Sequence, residues 1–306
     1  MMSLLNLVRY KNLMMVLLTL VLTQYTIKTN GITQGVDVQF IVVAVAIICI
    51  TAGGYIINDI FDVDTDRINR PKNRTIGVSI SKKKGFSMYF IFTGLGILCG
   101  TCAAYITENT AYTLFFIGPI ILLYWYSKSL KRIAIIGNLA VSFLTALPIG
   151  VVSIFALNTT NTAEKLGYAG ASAFPHLPMF ASLGIYFVLA FCITFIRELI
   201  KDIEDMNGDY ALHMNTLPIL IGTKRTKHVV LLLSSVLFVS ILILARVVLH
   251  LGIPNLFWYT MLCVSAPFSW FLLKLYHSKK TKDFNFLSTL LKYILFFGII
   301  SMLLLK

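Results

Sequence analysis

Long apolar runs separated by short polar intervals dominate the chain, and their lengths predict helices rather than strands. Nine windows reach the roughly 20 residues that a helix needs to cross a bilayer. They lie at 11–28, 38–57, 86–106, 109–127, 134–156, 178–197, 228–249, 255–275 and 285–305. Gly118-Pro119 in the fourth and Pro148 in the fifth predict kinks, whose freed carbonyls neighbouring helices re-satisfy. The expected fold class is all-α: a polytopic membrane protein of nine transmembrane helices, in one domain covering residues 1–306.

Composition agrees with that pattern. Hydrophobic residues make up 58% of the 306 positions and charged residues 13%, against the roughly 25% charged of a soluble domain. The net charge of +13 is scattered between apolar spans, which argues against a nucleic-acid partner. Nothing in the sequence points to an obligatory protein partner. Basic residues fall in alternate loops: Arg9 and Lys11 before the first span, then clusters after the second, fourth, sixth and eighth. The positive-inside rule therefore puts the N-terminus and those loops in the cytoplasm and the C-terminus outside the cell membrane. Nine spans satisfy this arrangement; eight do not. The first run lacks a small-x-small cleavage site and reads as a retained helix.

The five cysteines all sit in apolar runs. Cys99 and Cys102 form a CxxC without acidic or histidine partners nearby, so they read as small buried residues rather than a metal or redox pair. The histidines show no metal-ligand spacing.

Acidic residues carry the chemistry. "NDIFDVDTDRINRPKNR", at 58–74, holds four aspartates in eight residues, of which Asp59, Asp62 and Asp66 follow the spacing i, i+3, i+7. "RELIKDIEDMNGD", at 197–209, repeats the spacing in Asp202, Asp205 and Asp209, each 143 positions after its counterpart. An internal duplication accounts for the echo. On a helix such a triplet occupies an arc of about 60°, with Asp64 and Glu204 on the opposite faces. Asn58 and Glu198 extend the two stripes by one turn. Carboxylates gathered on one face repel and are costly near lipid without cations. Mg²⁺ is the natural counter-ion, being held by one or two carboxylates while substrate phosphates complete its shell. Two such clusters on one membrane side suit a diphosphate bound through metal, with Arg67, Arg70, Lys72 and Lys201 neutralising further charge. A cation transporter is the non-enzymatic alternative, but transporter sites lie near the bilayer midplane, not at helix ends.

"NDIFDVDTDRINRP" and "KDIEDMNGD" resemble the paired NDxxDxxxD and DxxDxxxD motifs of the UbiA superfamily of intramembrane prenyltransferases. "YSKSLKRIAIIGN" at 126–138 and "LVRYKN" at 7–12 are similar to the family's patterns after its fourth helix and at the start of its first. The resemblance implies nine helices around a central cavity and Mg²⁺-dependent transfer of a prenyl group from an isoprenyl diphosphate to a lipid-like acceptor. It implies a metal shell drawn from Asn58, Asp59, Asp62, Asp66, Asp202, Asp205 and Asp209, with Asp62, Asp66, Asp202 and Asp205 central to catalysis. Phosphate contacts would come from Arg9, Arg67, Arg70, Lys128, Lys131 and Lys201, with Tyr126 and Asn138 alongside. Either Lys128 or Lys131 fills the lysine position, because the family's tyrosine-to-lysine distance varies by one residue. Among branches, the motifs look most like those that prenylate geranylgeranylglyceryl phosphate, with aromatic quinone precursors as the alternative acceptor. One departure stands out: "KNRTIGVSISKKKG" replaces the Arg-Pro and Pro-Ser-Gly stretch common in that branch.

Overall fold

A computed structural model describes residues 2–31, 38–64, 67, 75–165 and 177–305. Eleven helices form among these residues: α1 Met2–Leu7, α2 Tyr10–Thr29, α3 Val38–Phe61, α4 Lys82–Ile106, α5 Leu114–Lys128 and α6 Ile136–Lys165, followed by α7 Leu177–Ala211, α8 Leu217–Ile221, α9 Thr223–His250, α10 Pro254–His277 and α11 Thr281–Ile300. No strand forms among the described residues, only two isolated bridges.

Each of the nine apolar windows coincides with one of these helices. Eight are long and apolar enough to cross a membrane, which makes this a multi-pass membrane protein. The exception is α2, which is helical over 20 residues but carries more polar side chains. Several of those polar groups are buried: Thr19, Thr23, Gln24 and Thr26. The Thr19, Thr23 and Thr26 hydroxyls donate to carbonyls four residues back, which satisfies them without water. Helices α5 and α6 run on through Pro119 and Pro148. In α10 a π-helical turn at Thr260–Ser265 precedes Pro267, whose ring cannot supply an N–H to the regular ladder.

The chain divides into two compact units. The first comprises Met1–Leu130 and Leu147–Phe187. Its helices α3 and α4 pack closely because glycines remove side chains from the contact. A Cβ on Gly53 would lie 2.8 Å from Thr93 Oγ1, and one on Gly96 would lie 2.6 Å from Ile50 Cγ1. Leu7 and Val8 are buried with Ile56, Ile57, Ile60, Ile76, Ile80 and Tyr89, which anchors the start of the chain to the C-terminal half of α3.

The second unit comprises Lys131–Ala146 and Val188–Lys306. Its core joins Ile196, Leu199, Ile200 and Ile203 of α7 to Val230 of α9, Phe268 and Phe271 of α10, and Leu287 and Leu291 of α11. Glu204 leaves the motif face of α7 and accepts from Asn285 Nδ2 at 2.6 Å and from the Ser288 hydroxyl at 3.4 Å, both on α11. That is the opposite-face position its spacing requires.

The cysteines depart from expectation. None is buried, and Cys102 is exposed. Apolar side chains of a membrane helix need not turn inward, because lipid solvates them as well as a protein core does.

Candidate active site

The first motif sits where α3 runs out. The helix ends at Phe61, and the Asp62 amide makes a last helical bond to the Asn58 carbonyl at 2.9 Å. One helical register therefore covers Asn58, Asp59 and Asp62, and the continuous helix expected to carry the stripe further is broken at Asp62. Asp66 and Arg70, like Lys72, lie outside the described residues. The C-terminus of a helix is the negative end of its dipole, and α3 has no basic residue in its last turn. Carboxylates placed there need a cation brought from elsewhere.

Arg9 brings one. It occupies the left-handed region at φ 51°, ψ 55°, where it breaks α1 from α2. Its Nη2 donates to Asp59 Oδ1 at 2.7 Å, and its guanidinium lies 5.2 Å from the centroid of the Tyr55 ring. Asn58 Nδ2 donates to Asp62 Oδ2 at 2.8 Å, while Asn58 Oδ1 is buried and has no hydrogen-bond partner among the described residues. A hard amide oxygen beside a carboxylate is a donor pair that Mg²⁺ accepts, so these residues fit that ion. On the same unit, Lys128 Nζ stands 5.8 Å from the centroid of Tyr124, whose ring meets Phe61 edge-on. Tyr126 is half-buried, while Arg67 and Asp64 are exposed.

The second motif rides on a longer helix than hydropathy predicts. The apolar window stops at residue 197, but α7 continues to Ala211, so Asp202, Asp205 and Asp209 share one unbroken helix. Asn138 Nδ2 donates to Asp202 Oδ2 at 2.7 Å, making Asn138 a support for a carboxylate. Asp205 is half-buried and Asp209 buried. Lys201 is ion-paired with Glu198 at 3.3 Å, and Glu198 also accepts from Arg197 at 2.6 Å. Lys131 belongs to this unit, in the turn Leu130–Arg132, whereas Lys128 belongs to the unit with the first motif. Among the described residues, no three acidic, histidine or cysteine side chains converge as a metal cage.

Two residues escaped the sequence reading: Tyr55 and Tyr124. Both had a signal. Tyr55 precedes Asp59 by four positions and Tyr124 precedes Lys128 by four, one helical turn each.

These features define a polytopic membrane enzyme whose oxygen donors stand at helix ends. The chain belongs to the UbiA prenyltransferase family, whose defining pattern matches residues 14–294, and it is a prenyltransferase. It is 30% identical over 259 residues to the digeranylgeranylglyceryl phosphate synthase of Saccharolobus solfataricus, which covers 83% of this chain and 80% of that protein. A solved structure concerning digeranylgeranylglyceryl phosphate synthase in membranes matches 98% of this chain and 97% of its own at 23% identity, with a TM-score of 0.62. A UbiA homologue from Archaeoglobus fulgidus, solved with DMAPP and Mg²⁺, matches 98% of this chain and 99% of its own at 15% identity and a TM-score of 0.57. These structural likenesses establish a shared fold.

Proposed function

We propose that this chain transfers a geranylgeranyl group from its diphosphate to the free hydroxyl of geranylgeranylglyceryl phosphate, in a Mg²⁺-dependent reaction within the membrane. The buried, unpartnered Asn58 oxygen beside Asp62 carries the metal part of this reading. The acceptor rests on likeness to the S. solfataricus enzyme over four-fifths of both chains.

Asn58, Asp62 and Asp66 of the first motif would hold Mg²⁺, and so would Asp202, Asp205 and Asp209 of the second, with substrate phosphate oxygens completing each shell. When bound, Mg²⁺ supplies positive charge against the negative charge that builds on the departing diphosphate. Arg9, Arg70 and Lys128 or Lys131 add fixed cations for the same purpose. The allylic C–O bond breaks with its electron pair going to diphosphate, the acceptor hydroxyl oxygen bonds to the allylic carbon, and the hydroxyl proton passes to the released diphosphate.

The whole chain forms one catalytic domain in this reading, and the 143-residue echo of the motifs marks an internal duplication. Helix α2 counts as the ninth span. Its 20 residues give about 30 Å of length, and Thr19, Thr23, Gln24 and Thr26 turn inward while Met14 and Val21 are exposed. The N-terminus and both motifs then face the cytoplasm, and the C-terminus lies outside the cell membrane.

Purified protein given labelled geranylgeranyl diphosphate tests the reaction. Transfer should require Mg²⁺ and stop with EDTA. Turnover unaffected by chelation would refute the metal assignment, and efficient prenylation of 4-hydroxybenzoate in place of the glyceryl phosphate would move the chain to the aromatic-acceptor branch.

A further inference from the structure

We propose that Asp59 is a positioning residue for Arg9 rather than a metal ligand, and that Arg9, so held, binds a phosphate of one substrate. The inference rests on the metal-dependent transfer proposed above, and it removes Asp59 from the expected metal shell.

Three observations converge on it. The first is the strained backbone at Arg9: a non-glycine residue in the left-handed region persists only where its surroundings over-determine it. Here they do, because Leu7 and Val8 immediately before it are buried against Ile56, Ile57 and Ile60. The second is the aim that this bend produces. The guanidinium reaches Asp59 Oδ1 at 2.7 Å across 50 residues of sequence and rests on the Tyr55 ring, one turn back on the same helix. The third is the division of labour on α3. Asn58 and Asp62 are joined to each other, and the unpartnered Asn58 oxygen belongs to that pair, while Asp59 is ion-paired to Arg9.

A carboxylate bonded to a guanidinium at this distance is a poorer ligand for a second cation, since its charge is already partly neutralised. The Arg9 side chain remains 36% exposed, so a phosphate can reach it. With five N–H donors in a planar fork, it can hold Asp59 along one edge and a phosphate along another. The phosphate is either that of the prenyl diphosphate or that of the acceptor.

Mn²⁺ binding to the full-length protein, followed by electron paramagnetic resonance with inorganic pyrophosphate present, decides the matter alongside transfer kinetics. Asp62→Asn should weaken Mn²⁺ binding by about tenfold or more, while Asp59→Asn leaves it within about twofold. Asp59→Asn should instead raise KM for one phosphorylated substrate by about tenfold, as Arg9→Gln does. The double variant should be no worse than Arg9→Gln alone, since the two residues act as one unit. Donor KM and acceptor KM, measured separately, identify whose phosphate Arg9 holds. An Asp59→Asn protein that loses Mn²⁺ affinity as Asp62→Asn does overturns the proposal. Should Asp59→Asn fail to fold, Asp59→Glu serves: unchanged Mn²⁺ binding supports positioning, and weakened binding marks a ligand. A wild-type protein that binds Mn²⁺ but transfers no prenyl group refutes the proposed reaction, and the comparison of Asp59 with Asp62 variants still decides the role of Asp59.

Discussion

Asn138→Ala removes the side-chain donor that the structure gives Asp202, a half-buried hydrogen bond of 2.7 Å. Hydrogen bonds to charged groups contribute about 1.5–3 kcal/mol, and losing one beside a metal ligand lowers metal affinity or activity about 10- to 100-fold. The carboxylate would keep its place on α7 but lose the group that fixes its orientation. The Mg²⁺ concentration for half-maximal transfer should therefore rise by about tenfold or more. Maximal rate at saturating Mg²⁺ should fall less, because excess metal re-orders the ligand. The assay is a Mg²⁺ titration of prenyl transfer by purified protein, with elution volume on size exclusion as the check on folding. A half-maximal concentration within about twofold of wild type, in folded protein, would refute the view that Asn138 serves the reaction through Asp202.

Asp62→Ala and Asp202→Ala should each abolish transfer in membrane-inserted protein, while Asp64→Ala, at an exposed position, should retain most activity; equal losses at Asp62 and Asp64 would sink the division of faces. Gly96→Ala puts a methyl 2.6 Å from Ile50 Cγ1 and 3.3 Å from the Ala46 carbonyl oxygen, so α3 and α4 must separate. The expected loss is about 1–3 kcal/mol, read as a lower midpoint in thermal unfolding in detergent. For topology, single cysteines at Lys83 and Lys224 in a cysteine-free background should be labelled only from the cytoplasmic side, and one at Thr160 only from outside. An externally labelled position 83 contradicts the assigned orientation.

Local periodicity made much of this molecule legible. Every apolar window became a helix, and Glu204 left the motif face of α7 as its spacing required. Hydropathy misplaced the end of α7, because charges end an apolar run without ending a hydrogen-bond ladder, and the helix carries its aspartates to Ala211. The partners of the site residues were illegible for a different reason. Arg9 meets Asp59 across 50 residues and Asn138 meets Asp202 across 64, and neither pair leaves a local signature. The bend that aims Arg9 is equally silent, since arginine gives no hint of a left-handed backbone and the burial of Leu7 and Val8 that accompanies it involves residues about 50 positions away. Tyr55 and Tyr124 fall between: their four-residue offsets were visible, but aromatics are so common here that spacing alone did not single them out.

The central claim is tested most directly by mass spectrometry of the lipid product formed from geranylgeranyl diphosphate and geranylgeranylglyceryl phosphate with purified protein and Mg²⁺. The account predicts digeranylgeranylglyceryl phosphate with release of diphosphate, none with EDTA, and none from the Asp62→Ala protein. Consumption of the diphosphate without that ether product, or its undiminished formation by Asp62→Ala, would contradict the account.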